Sequence, residues 1–132
     1  MPAERPVDRQ ARSAVPTGWP AELAPPESDD FEADAVGWLL DNAPPEFRAH
    51  SVFRRHPLAL ATVVQHYVAG ALAASRQAYA GVRRELGEVL TPQTVTEVLT
   101  ALEHEGVRLA RLDRELGLVA AALEGRRWVP RL

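Results

Sequence analysis

Arginines are the residues best equipped for chemistry in this sequence, and their spacing gathers them in two places. Arg48, Arg54 and Arg55 lie within residues 47–57, and Arg126, Arg127 and Arg131 lie within the last seven residues. A guanidinium is a planar fork that matches phosphate or carboxylate, and several converging forks make an anion site. Trp128 beside the second group adds a ring for stacking or anchoring. Arg48, Arg54, Arg55, Arg126, Arg127 and Trp128 are therefore the candidate anion- or partner-binding residues. An acidic counterpart precedes them: Asp29, Asp30, Glu32, Asp34, Asp41 and Glu46 occupy residues 29–46 without a single base.

Other reactive patterns are missing. Nucleophilic catalysis needs a Ser, Cys or Thr beside a base and an orienting group. None of Ser13, Ser28, Ser51 and Ser75 sits in a nucleophile-elbow pattern, and cysteine is absent. No Gly-rich phosphate loop occurs, and His104-Glu105 lacks the second histidine of a zinc-protease motif. His50, His56 and His66 have spacings that match no metal motif, and read as surface or helix-capping residues. No catalytic residue, metal ligand or cofactor is expected, and the chain reads as non-enzymatic. The net charge is −3, with an isoelectric point near 5.8. Nucleic acid would therefore need a local basic patch rather than the whole surface.

The elements that position these residues are all helical. Residues 1–28 carry six prolines, which fix φ and remove backbone donors, so residues 1–18 are expected to form a disordered or extended arm. Trp19 and Leu23 are placed to tack its end onto a single helical domain over 19–132. Asp29 with Glu32 resembles a capping box, and apolar residues then recur at helical spacing until Pro44 and Pro45, which predicts a helix over about 30–42. Pro45–Arg48 and Ser51–Arg55 each suit one short helical turn.

The strongest pattern follows. Pro57 suits a first helical position, and Leu60, Val64, Tyr67, Val68, Ala71, Ser75, Ala78, Val82 and Leu86 form a stripe of helical period. Gly87 suits a stop. Thr91 suits an N-cap with Pro92 behind it, and Leu90 is placed to staple onto Val95. Beyond it, Val95, Leu102, Leu109, Leu116 and Leu123 take one heptad core position, and Val98, Leu112 and Val119 take the other. Two helices, about 58–87 and 92–124, joined by so short a turn fold into an antiparallel hairpin, with the 30–42 helix packed at its base. The fold class is all-α.

This geometry returns residue 125 to the level of Pro57. The base then collects the arginines, His50 and His56, and most aromatic rings, so the compact core is expected there. Two readings of the arginines stand side by side: internal pairing with the acidic helix, or an anion site. Glu105 interrupts the heptad seam, either as a buried charge paired with Arg76 or Gln77, or as a seam-edge residue with its head in water. Leu99, Val107, Leu118 and the Ala71–Ala74 region lie off the seam. They ask for cover, from a second copy in a four-helix arrangement or from the helix and arm at the base.

No stretch of about 18 uncharged apolar residues is expected, hence no membrane span and a cytoplasmic protein. Trp38-Leu39-Leu40-Asp41, Pro44-Pro45-Glu46-Phe47-Arg48, Arg54-Arg55-His56-Pro57 and the run Gly125 to Leu132 resemble small helical proteins of high-GC actinobacteria. The resemblance covers about residues 19–132 and implies no activity, cofactor or catalytic residue. Lysine and isoleucine are absent and asparagine occurs once, a bias that a GC-rich genome explains without selection for arginine chemistry. The expected function is an interaction or scaffolding module, a homodimer through the hairpin with an unidentified protein partner at its base. The alternative is a small regulator binding nucleic acid or a phosphorylated or acidic ligand there.

Overall fold

The computed structural model describes residues 15–127, with side chains through residue 125. Its elements are α1 (Phe31–Asp41), a 3-10 turn (Pro45–Ala49), α2 (Ser51–Arg55), α3 (Pro57–Leu86) and α4 (Pro92–Arg127). The described residues contain no strand. The two long helices pack against each other as an antiparallel hairpin, within one residue of the expected start of α3 and with α4 running three residues further than expected. The chain divides into two compact units. A terminal unit holds residues 1–65 and 114–132, and a turn unit holds His66–Asp113.

The turn between the long helices is built as its residues dictate. The Thr91 hydroxyl accepts from the Thr94 amide at 3.1 Å and donates to the Thr94 hydroxyl at 2.9 Å, satisfying a first-turn donor of α4. Leu90 packs against the cluster of Val82, Val95 and Leu99, as a hydrophobic staple should. Gly87 follows α3 because an added β-carbon would run into the Arg83 carbonyl oxygen.

Core position differs between the units. Every large side chain that is fully buried (Pro20, Phe31, Leu39, Leu60, Val64, Leu116 and Val119) belongs to the terminal unit. There Trp19 lies against Phe31 with ring centroids 5.6 Å apart, and its Nε1 donates to the Ala24 carbonyl at 3.2 Å. Leu23 is also buried, so both tacking residues hold. The turn at Gly18, with φ of 86°, passes 3.6 Å from Leu118 measured from an ideal β-carbon, so residues 15–18 are an ordered turn rather than extended chain. Residues 1–14 lie outside the described residues, as does the expectation that they form an arm.

Three local expectations need correction. Asp29 and Glu32 form no capping box: the N-cap is Asp30, in the helical region at φ −85° and ψ −6°, with no side-chain cap. The chain enters α1 from a preceding turn, in which Ser28 accepts from the Asp30 amide, and Glu32 and Asp34 lie in the first turn, where the helix dipole favours negative charge. On α3, Tyr67, Ala71 and Ala78 lie in the expected stripe yet are exposed, while Ala61, Val64, Val68, Ser75 and Val82 are buried. Ala61, Val68, Ser75 and Val82 recur every seven residues as one heptad core position, whereas Ala71 and Ala78 share the other core position with Val64 and are left uncovered on the turn unit. Conversely, Leu99 is buried against Val82 and Val95 rather than lying off the seam.

A further correction concerns hydropathy. Residues 57–75 contain no Asp, Glu, Lys or Arg, so, contrary to the expectation above, the chain has an uncharged stretch longer than 18 residues, with Thr62, Gln65, His66 and Ser75 among its apolar residues. By length and composition α3 suffices to cross a membrane, and a third of its most apolar window is buried within the protein. Core helices and membrane spans share that signature, so it assigns no location.

Candidate functional site

The arginines of the 47–57 segment are placed by a tight corner. Asn42 ends α1, its side-chain amide donating to the Trp38 carbonyl at 2.9 Å, and Pro44 and Pro45 forbid continuation. The 3-10 turn and α2 that follow bury no residue. They are held by a stacked pair, Phe47 and Phe53, with centroids 4.8 Å apart, and by His50 edge-on to Phe53 at 6.2 Å.

That corner spends two arginines internally. Arg48 pairs with Asp41 at 2.6 Å, tying the basic segment to the last residue of acidic α1. Both side chains are about half exposed or more, so the pair contributes at most about 1 kcal/mol and acts chiefly to orient. Arg54 donates through Nη1 to the Arg48 carbonyl oxygen at 2.8 Å. Arg55 differs. It lines an open cleft of about 620 Å³ together with Glu32, His56, Pro57, Leu58, Ala59, Thr62, Val63 and Leu123.

Leu123 near the end of α4 shares this cleft with Pro57 at the start of α3, the return that the hairpin requires. Arg126 and Arg127 are the last residues of α4, with side chains outside the description, and Trp128 and Arg131 lie outside the described residues. Of the six candidate anion-binding residues, the structure thus places Arg48 on Asp41, Arg54 on a carbonyl and Arg55 in the cleft.

The heptad residues form the hairpin's own interior. Val95, Leu109, Leu112, Leu116, Val119 and Leu123 are buried, and Val98 and Leu102 are half-buried against the Val82 cluster. Glu105 sits at the seam edge. Its carboxylate accepts from Arg108 Nε at 2.8 Å and Nη2 at 2.7 Å, with its side chain 45% exposed. That bidentate bond holds the Glu105 carboxyl below the usual glutamate range and raises the Arg108 guanidinium. Neither Arg76 nor Gln77 is the partner.

The off-seam residues separate. Leu118 is half-buried near Gly18, whereas Ala71, Ala73 and Ala74 on α3 are exposed and Val107 on α4 is 73% exposed. Within the turn unit the outward side of α3 carries His66, Gly70, Ala73 and Gln77, all exposed and none a formal charge when the histidine is neutral. The α4 segment of the same unit is charged, with Glu103, Glu105, Arg108, Arg111 and Asp113.

Sequence reasoning missed the cleft residues Glu32, Leu58, Ala59, Thr62 and Val63. The one available signal was the spacing of 58, 59, 62 and 63, a second apolar strip on α3 beside the seam. Among the described residues, no group of three or more His, Asp or Glu is arranged to hold a metal ion. Comparison with family models, curated proteins and solved structures gives no match.

Proposed function

We propose that this chain is a non-enzymatic protein-interaction module that associates with a second copy of itself through the helical hairpin. The observation that carries this reading is the mismatch on α3: residues 57–75 are free of Asp, Glu, Lys and Arg, yet only a third of the most apolar window is buried. A helix facing only water on its outer side gains by carrying charge there, as α4 does. Small uncharged residues at Gly70 and Ala73 let a second helix come close, and like surfaces meet without repulsion in a two-fold dimer.

Because the chain has no cysteine, single introduced thiols test this directly. Gly70→Cys or Ala73→Cys is expected to form a disulfide-linked dimer on mild oxidation, while Val107→Cys on α4 is expected not to. Equal cross-linking at all three positions would mark random collision and contradict the assignment.

A further inference from the structure

Apart from self-association, we infer that the cleft of the terminal unit binds a small monoanion with an apolar body, a carboxylate-headed chain or ring compound. Its volume of about 620 Å³ lies within the range of about 300–1,000 Å³ common for small-ligand sites. The walls are apolar where Leu58, Ala59, Val63 and Leu123 meet, and Thr62 spends its hydroxyl on the Leu58 carbonyl at 2.9 Å. An occupant therefore gains by burying hydrocarbon there.

Charge selects its head. Arg55 and His56 stand consecutively at the end of α2, and both line the cleft. Arg54 and Arg48, the neighbouring cations, are turned to other partners, so among the described side chains Arg55 is the guanidinium that lines this cleft. Glu32, from the first turn of α1, lines the same space. The apolar walls, rather than the charged groups, favour a carboxylate joined to hydrocarbon over inorganic phosphate, which has nothing to bury there.

Calorimetric titration with decanoate below its micelle concentration, and with decanol as the uncharged control, tests the assignment. Decanoate is expected to bind and decanol to bind about three- to fivefold more weakly, the scale of one exposed ion pair. Arg55→Ala is expected to bring decanoate down to the decanol level. Glu32→Gln is expected to strengthen decanoate by a similar factor. Ala59 is exposed, so Ala59→Phe fills the cleft without disturbing the core, and is expected to abolish binding of both probes while leaving helicity unchanged. Absence of decanoate binding, or binding unaffected by Arg55→Ala and Ala59→Phe in variants of unchanged helicity, overturns the inference. Inorganic phosphate binding as tightly as decanoate overturns the selectivity.

Discussion

Ser75 on α3 and Gly106 on α4 face each other across the hairpin: a β-carbon added to Gly106 would sit 4.0 Å from the Ser75 hydroxyl oxygen. That hydroxyl reaches the Leu102 carbonyl, one turn earlier on α4, through a long bond of 3.5 Å. Two small side chains at one level let the helix axes approach where the seam lacks a large apolar pair.

A methyl group fits that space. Gly106→Ala is expected to raise stability by about 0.5–1 kcal/mol, through helix propensity and a less flexible unfolded chain. Gly106→Leu should lower it, because the longer side chain must displace Ser75. Urea unfolding followed by circular dichroism reads both, and a destabilising alanine would show the helices closer than described.

The turn makes a separate claim. Removing the Thr91 hydroxyl leaves the Thr94 amide without its side-chain acceptor, so Thr91→Ala should cost about 1 kcal/mol. Thr96 provides the internal control: its hydroxyl donates to the Pro92 carbonyl on an exposed surface, and Thr96→Ala should change stability by less than about 0.5 kcal/mol.

Two phenylalanines divide core from corner. Phe31 is fully buried, and Phe31→Ala is expected to cost about 3–5 kcal/mol. Phe53 belongs to a helix that buries nothing, so Phe53→Ala should lose little beyond its stacking on Phe47, about 0.5–1.5 kcal/mol. Similar losses at both positions would contradict the placing of the core.

The Glu105–Arg108 pair is exposed and worth at most about 1 kcal/mol. Because folding lowers the Glu105 carboxyl, its contribution is present above the unfolded value near 4.3 and disappears as pH falls through the lower folded value. A double-mutant cycle with Glu105→Gln and Arg108→Gln should show a small coupling at pH 7 and none in strong acid. A coupling of several kcal/mol would mean a buried pair.

What could be read from the residues divides along physical lines. Pro57, Thr91 and Pro92 mark helix starts by local stereochemistry, and a heptad repeat sustained from Val95 to Leu123 leaves little choice of partner face, so the hairpin was legible. The Asp29–Glu32 pattern misled because capping also requires a non-helical backbone at the cap, which spacing does not report. Leu99 and Tyr67 exchanged expected roles because the choice between neighbouring stripe positions depends on how the two helices coil. The cleft depends on α1, α2, α3 and the end of α4 meeting, a relation no single segment encodes.

Association through an uncharged face should also differ in kind from association through arginines. Attraction between exposed charges is screened over about 10 Å at 0.1 M salt, whereas apolar contact persists. Self-association is therefore expected to survive high salt, and to be unaffected by joint replacement of Arg54, Arg55, Arg126 and Arg127 with alanine. Loss of association in either case would move the interface to the arginine segments.

The most direct measurement is the sedimenting mass of the intact chain at tens of micromolar, beside that of Ala73→Arg. The account predicts a wild-type mass twice the 14.5 kDa of one chain, reduced to a single chain in a variant whose helicity is unchanged. A wild-type protein that sediments as one 14.5 kDa chain under these conditions contradicts it.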